Sequence, residues 1–534
     1  MQQRQLLPAA SILRDIDASK LAPQQRADQL LLETELLYLQ GRSETALQQL
    51  QAALPQLDGI TPELQWQLQQ WRLRLLRSQS GPVRAARQAQ RLLETTTTDE
   101  QRRQLIQFIW VNLNRCTTQE LEAQLQNTVS SNWRGWLELA LLVTHVTESP
   151  DVQVAELELW RQLFADHPAQ ASLPGGLELL PQLQLQAPRH IALILPLSGP
   201  LALLGRAVLD GFLAAQFESH RKGWPAIALS VIDSTGFADV DSSYNTAVAT
   251  GAQLVIGPLQ REQLNQWQPR QPLPVPLLSL NWFDSRFAGG WQMALSPEDE
   301  AHQLAQLAFD DGARHALLIR PQGSWGDEAS SALLEQWHEL EGSVQGVATF
   351  SGQADYSSSL KAALNLAQSQ QRATRIRQLM GEPLEFSPRR RRDLDVIFLL
   401  ANQPRDARSL KPLIAFHYAA DLPVYSTSHI FSGRADPQLD RDLNGIRLVE
   451  IPWIVAPDAA IFTAVYDSGA DATLAGMHAL GVDAFMLNWR LQQLAADPGN
   501  VYRGQTGLLH MDLQGRLHRE LVPTVMRGGL PEIL

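Results

Sequence analysis

Between residues 191 and 259 the chain alternates short apolar runs with a helical pattern of apolar residues. The runs Ile191–Leu195 and Leu254–Ile256 have the length of buried strands, and another run ends at Asp233. Between the first run and Asp233, apolar residues recur at helical spacing from Ala207 to Ala215. Short buried strands that alternate with amphipathic helices indicate βαβ units and a parallel sheet.

Polar and small residues follow each of these runs. Ser198 and Gly199 come after the first, Asp233 ends the second and Gly257 follows the third. Because ligands of parallel sheets gather at the carboxyl ends of the strands, these residues are candidates for lining a cleft. The same reasoning adds Ser279, Asn281 and Trp325.

An alternative interpretation is that these residues only maintain their loops. Hydroxyls, backbone amides and an acid could bind an amino-acid-like ligand. The loop Asn281–Asp284 carries bulky aromatic residues instead of a cluster of hydroxyls. Such residues would plug a polar cleft more readily than line it, so we expect no tight small-molecule ligand.

Several segments in the right order resemble the type I periplasmic binding protein fold over roughly 189–534. They are the loops after the first and third runs, together with Ala316–Trp325, Val396–Leu400, Pro423–Ser426, Gly481–Leu491 and Gly504–Gly515. The resemblance implies an α/β domain of two lobes. One lobe would comprise about 189–298 and 430–500, and the other about 299–429 and 501–534.

The first 168 residues differ in kind, because helix pairs recur there at a spacing of about 35 residues, near the tetratricopeptide period. The sequence Thr61-Pro62-Glu63 is typical of a helix start. We therefore expect an all-α, tetratricopeptide-like solenoid over residues 1–168. Such arrays commonly bind proteins, although a purely structural stack is the alternative. The proline-rich residues 169–188 are expected to link this solenoid to the two-lobed α/β domain.

Composition and motifs exclude several functions. The net charge is −12 and both halves of the chain carry an acidic excess, which argues against nucleic-acid binding. Phosphate-binding glycine loops, nucleophile elbows and metal-ligand spacings are not found in the sequence. We expect no catalytic residues, no metal and no cofactor. Cys116 is expected to be a small helix residue, and a reactive thiol is the alternative interpretation.

A run of four arginines, Arg389, Arg390, Arg391 and Arg392, is the sharpest charge feature of the sequence. It could dock an acidic partner or an anionic polymer. The alternative is a solvated connection whose arginine stems cover apolar surface.

A tetratricopeptide-like region followed by this α/β domain is a combination that points to a smaller group of proteins. With the segments LPLSGPLALLGRAVLDGF and GIRLVEIPW, the chain is similar to the LpoA family, the outer-membrane lipoprotein activators of a class A penicillin-binding protein in gammaproteobacteria. The resemblance implies a non-catalytic periplasmic regulator of peptidoglycan synthesis. Its partners would be the synthase, with peptidoglycan as a further candidate, and the inner leaflet of the outer membrane through a lipid anchor.

The family begins with a signal peptide and a lipidated cysteine, and the printed sequence has neither. We expect that this leader precedes the natural chain. The alternative functions are a periplasmic solute-binding or sensory protein for an amino-acid-like ligand, and a cytoplasmic scaffold.

Overall fold

The computed structural model describes residues 11–13, 15–17, 20–144, 148–268, 272–284, 288–380 and 389–534. The chain divides into two compact units, each built from segments that are distant in sequence. The first unit contains Met1–Gly81, Pro297–Glu450 and Val522–Leu534. The second unit contains Pro82–Ser296 and Ile451–Leu521.

Pairs of helices precede the first strand, as the recurring spacing predicts. The described helices of this region are α1 (Pro23–Leu39), α2 (Ser43–Ala53), α3 (Pro62–Ser80), α4 (Pro82–Thr95), α5 (Asp99–Leu113), α6 (Thr118–Gln126), α7 (Ser131–Leu142), α8 (Pro150–Leu163) and α9 (Leu180–Leu185). Side-chain caps fix several starts: the Thr61 hydroxyl accepts from the Leu64 amide at 3.5 Å, and the Ser149 hydroxyl from the Val152 amide at 3.3 Å. These bonds satisfy amides that a helix start leaves without partners.

Strands and helices alternate after residue 189. The described strands are β1 (His190–Leu195), β2 (Ala228–Asp233), β3 (Leu254–Ile256), β4 (Leu277–Ser279), β5 (Gly290–Met293), β6 (His315–Pro321), β7 (Ser343–Phe350), β8 (Val396–Leu399), β9 (Val424–Ser426), β10 (Arg447–Glu450), β11 (Val501–Arg503), β12 (Leu508–Met511), β13 (Arg516–Glu520), β14 (Val522–Arg527) and β15 (Leu530–Ile533). The helices among them are α10 (Ala202–Arg221), α11 (Val240–Ala249), α12 (Arg261–Gln266), α13 (Pro297–Asp310), α14 (Ser324–Glu339), α15 (Tyr356–Ala363), α16 (Leu366–Met380), α17 (Pro404–Phe416), α18 (Pro452–Val455), α19 (Ala459–Asp467), α20 (Ala475–Met486) and α21 (Leu491–Ala496).

Each unit contains one mixed sheet. In the second unit the described strands run in the order β11-β12-β13-β5-β4-β3-β1-β2, and in the first unit in the order β15-β14-β10-β9-β8-β6-β7. The βαβ strands are parallel, whereas β11, β12, β14 and β15 pair antiparallel. The predicted parallel sheet is therefore present, with antiparallel additions at one edge of each sheet.

The membership of the sheets corrects the lobe ranges drawn from the sequence at two places. Residues 501–520 belong to the second unit's sheet, because β13 lies parallel to β5 with Leu517 opposite Met293. Residues 447–450 belong to the first unit's sheet, because β10 lies parallel to β9. The compact units also divide the helical region at Gly81; the boundaries at residues 168 and 188 stay a prediction.

Helices α10 and α14, which follow β1 and β6, pack very closely on the ends of these strands. A Cβ on Gly205 of α10 would lie 2.0 Å from the carbonyl oxygen of Pro196, and one on Gly326 of α14 would lie 2.2 Å from that of Pro321. Only glycine fits at such a separation. These contacts hold the loops at the strand ends against the helix starts, which positions the candidate site residues.

In the first unit, Arg314 joins the helical region to the α/β part. Its guanidinium donates to the carbonyl oxygens of Tyr38 and Leu39, at the end of α1, at 2.7 and 2.6 Å. It also donates to the carbonyls of Phe309 and Ala313 at 2.8 and 2.6 Å. The Tyr38 and Phe309 carbonyls also accept from the Gly41 and Gly312 amides at 3.0 Å. The guanidinium therefore adds a positively charged donor at the two helix ends, where cations are favoured.

The second unit has equivalent connections. Arg503 donates to the carbonyl oxygens of Leu113 and Cys116 after α5, the first at 3.0 Å. Arg115 forms a two-pronged ion pair with Glu520, at 2.5 and 2.6 Å. Helices α5 and α6 are thus tied to β11 and β13 by charge-assisted hydrogen bonds.

Candidate functional site

A hydrogen-bonded network lies where β1 and β2 end in the second unit. One Asp233 carboxylate oxygen accepts from the Leu197 amide at 3.0 Å and from the Thr235 amide at 3.1 Å. The other accepts from the Ser198 hydroxyl at 2.8 Å. The Leu197 amide, together with the Thr235 groups, holds the pKa of Asp233 well below its ordinary value. Ser198 and Asp233 are thus brought together, as the strand-end rule predicts.

This network includes Thr235, which the sequence reasoning did not select. Its hydroxyl donates to Asp233 at 2.7 Å and also contacts the Ser198 hydroxyl. The Asp-Ser-Thr order after β2 carried the signal, because such residues cap their own turns. Gly199 lies beside Ser198 with φ +70° and nothing within 4 Å of an added Cβ. The Asp233 carboxylate therefore links the loop after β1 to the loop after β2.

The other candidates in this unit also serve their own loops. Gly257 has φ +100°, and a Cβ there would lie 2.1 Å from the Ile194 carbonyl oxygen. Ser279 is fully buried and donates to the Asn281 carbonyl oxygen at 2.7 Å. The side-chain NH2 of Asn281 donates to the Leu259 carbonyl oxygen at 3.0 Å. Its side-chain oxygen accepts from the Trp282 backbone amide at 2.9 Å. These contacts support the loop-maintaining interpretation.

The first unit has its own cluster of polar groups, in which Trp325 is the predicted member. Its half-buried ring meets the His429 ring edge-on, with centroids 5.0 Å apart. The buried Glu300, in the first turn of α13, accepts from the Ser428 amide at 2.9 Å and from its hydroxyl at 3.0 Å. Sequence reasoning missed Glu300, Ser428 and His429, because Glu300 and Ser428 are 128 residues apart.

The arginine run divides into two paired and two exposed residues. Arg390 donates to the Asp421 carboxylate at 2.6 Å, and Arg391 makes two bonds of 2.7 Å to Asp393. The side chains of Arg390 and Arg391 are only 14% and 17% exposed. Arg389 and Arg392 are exposed. The solvated-connection interpretation fits the paired residues, and a docking role is open to the exposed ones.

The sole thiol of the chain is not poised for nucleophilic chemistry. Cys116 is fully buried, and its Sγ lies 3.3 Å from the Asn112 carbonyl oxygen. Burial raises the pKa of this thiol to about 12, so it stays protonated at neutral pH. The thiol therefore gives no support to a catalytic role.

A family model described as LppC putative lipoprotein matches residues 1–527. The chain belongs to this family. Among curated relatives, the penicillin-binding protein activator LpoA of Photobacterium profundum is 29% identical over 511 residues, which covers 94% of this chain and 82% of the relative. The protein of the same name from Vibrio cholerae is 28% identical over 515 residues, or 94% of this chain and 83% of the relative.

Solved structures of the family show the fold. Full-length LpoA from Haemophilus influenzae matches with a TM-score of 0.53 at 21% identity, covering 100% of this chain and 92% of that one. The C-domain of the same protein, described as a regulator of PBP1A, matches with a TM-score of 0.52 at 23% identity, covering 65% and 99%. The predicted fold class, a helical solenoid followed by a two-lobed α/β part, is confirmed.

Within the described part of the chain, no helix combines the length and apolar content that crossing a bilayer requires.

Proposed function

We propose that this LppC-family chain is a non-catalytic regulator of peptidoglycan synthesis that binds and stimulates the transpeptidase activity of a class A penicillin-binding protein. Its relatives in Photobacterium and Vibrio are named penicillin-binding protein activators, and they align over nearly the whole chain. The observation that carries the proposal is this full-length match to proteins named for that role.

The geometry of the strand ends supports a binding role without chemistry of its own. The Asp233 carboxylate and the Ser279 hydroxyl are engaged by their own loops. A general acid or base must instead be free to exchange a proton with a substrate. In this proposal the protein acts by differential affinity for two states of the synthase.

The residues from 189 onward would contact the synthase, and the helical region before residue 168 would supply reach, since a solenoid is long in one direction. The protein would act in the periplasm, held to the inner leaflet of the outer membrane by a lipid anchor. Membership of a family of putative lipoproteins supports this placement. Peptidoglycan itself is a further candidate partner.

The exposed arginines allow a test of whether charge speeds association with the synthase. In a surface-capture assay with a purified class A synthase, Arg389→Gln with Arg392→Gln should slow association and flatten its salt dependence, because exposed charges steer encounter. Matched controls are Arg405→Gln and Arg441→Gln, whose side chains are 71% and 79% exposed. Equal association rates for both double variants would exclude the arginine run from the interface.

A further inference from the structure

The outer face of α8 exposes apolar side chains in a regular row. Val152, Leu159 and Leu163 are 38%, 54% and 65% exposed, and the small Ala155 is exposed between the first two. At 3.6 residues per turn, these four positions fall on one narrow face of the helix. We call these four residues the α8 stripe.

The stripe does not arise from a loosely placed helix, because another face of α8 is packed against its neighbours. Leu157 is fully buried and Trp160 is 3% exposed. The Trp160 indole donates to the Gly135 carbonyl oxygen at 2.8 Å, and Gln153 accepts from the buried Arg490 guanidinium. These bonds fix the rotation of the helix about its axis and therefore the direction in which the stripe faces.

Helix α9 is bonded to the first turn of α8 and exposes a further apolar residue. The Gln184 side chain donates to the Asp151 carboxylate, which holds the end of α9 against the start of α8. The neighbouring Leu185 is 86% exposed. Exposed apolar residues that stand singly are normal on protein surfaces, whereas a continuous row marks a contact site.

Acidic residues border the stripe. Asp151 and Glu158 are exposed on one side of it, and Glu156 is half-buried on the other. Within α8, Arg161 is the single basic residue, and its guanidinium lies 3.9 Å from the Glu158 carboxylate. The border therefore carries net negative charge, which favours a basic partner.

We propose that the α8 stripe docks a basic amphipathic helix of a partner protein. Apolar residues at positions 152, 155, 159 and 163 follow steps of three and four residues, which is the spacing of one apolar face of a helix that packs on a partner helix. Two copies of this chain that met through the stripe would set acidic borders against each other, which disfavours self-association. This surface lies in the helical region, so it adds a second contact to the one proposed for residues 189–534.

The test uses the full chain and a fluorescently labelled synthetic peptide of leucine and lysine, about 18 residues or five turns long. Its leucines are placed on one helical face, and a peptide of the same composition in scrambled order is the control. Fluorescence anisotropy should show binding of the amphipathic peptide that weakens as salt is raised. Equal binding of the scrambled peptide would overturn the proposal.

Two double variants then locate the site. Leu159→Gln with Leu163→Gln should weaken peptide binding at least about tenfold, as expected when central apolar contacts are lost. The matched control is Leu203→Gln with Phe217→Gln on α10, where the side chains are 68% and 62% exposed; this variant should bind within about twofold of the parent. All four positions are exposed, so melting temperatures should stay close to that of the parent. Loss of binding in both variants, or in neither, contradicts the assignment.

Charge reversal gives an independent readout. Asp151→Lys with Glu158→Lys should weaken binding of the lysine peptide and create binding of a leucine and glutamate peptide. Unchanged preference would contradict a role for the acidic border. Sedimentation of the parent chain alone completes the test: a dimer that Leu159→Gln with Leu163→Gln abolishes would mean that a second copy covers the stripe, and it would overturn the proposal.

Discussion

Protonation of His167 should destabilise the second unit as the pH falls. The imidazole is 4% exposed and lies against Trp136 and Trp160, with ring centroids 4.9 and 5.1 Å away. Its Nε2 donates to the Asn132 carbonyl oxygen at 2.9 Å, and its Nδ1 accepts from the Ala169 amide at 3.2 Å. This arrangement fits only the neutral ring, since a proton on Nδ1 would face the Ala169 amide hydrogen.

The size of the loss in stability follows from the pKa of His167. Burial lowers the pKa of His167 from 6.5 to about 4. Between these values the unfolded chain binds a proton that the folded chain does not, so the free energy of unfolding falls as the pH falls. The stability present above pH 6.5 is lost on the way to pH 4, and the loss amounts to about 3 kcal/mol at about 1.4 kcal/mol per pH unit.

The assay is urea denaturation of the parent and of His167→Gln at pH 8, 6, 5 and 4, followed by tryptophan fluorescence. Glutamine does not titrate, so the variant should lose about 3 kcal/mol less than the parent over this range. At pH 8 it should be less stable, because ring contacts are lost. Parallel pH dependence of the two proteins would refute the reasoning that His167 is neutral in the fold.

Three further substitutions or additions test the account. Gly211→Ala should destabilise the second unit by about 1–3 kcal/mol in urea denaturation, because its Cβ would lie 2.0 Å from the His478 carbonyl oxygen; unchanged stability would mean that α10 and α20 can separate freely. Arg314→Met should speed amide hydrogen exchange at the end of α1, since the carbonyls of Tyr38 and Leu39 lose the hydrogen bonds from the guanidinium; unaltered protection there contradicts the proposed role of this arginine. Calorimetry against amino acids, small peptides, sugars and muropeptide fragments should show no ligand tighter than about millimolar, and a micromolar ligand would favour the solute-binding function instead.

Local signals predicted the helices and the βαβ strands of the fold. The expected helix pairs appear, and α3 begins at Pro62 after its Thr61 cap. The partner of the hairpin strand β13 could not be predicted in the same way. Its neighbour β5 lies more than 200 residues earlier in the chain, and short strands carry no information about a distant partner. The lobe range was wrong at 501–520 for this reason. At 447–450 the partner strand β9 is near in sequence, with Arg447 opposite Tyr425, and the predicted boundary at residue 430 was placed too early.

The candidate site was also predicted only in part. The strand-end rule placed Ser198 and Asp233 together, because both follow neighbouring parallel strands. No sequence signal of this kind predicted the pairing of Arg390 with Asp421. The two residues are 31 positions apart, and β8 and α17 lie between them. The sequence shows which charges are present, whereas only packing shows which of them are already paired within the chain.

The central claim is tested most directly by peptide cross-linking of peptidoglycan by a purified class A penicillin-binding protein, with and without the full chain. We predict that the chain raises the rate of cross-linking, and that the chain alone forms no cross-links from the same substrate. Full activity of the synthase without any increase on addition of the folded chain would contradict the activator function. Cross-links formed by the chain in the absence of synthase would contradict its non-catalytic character.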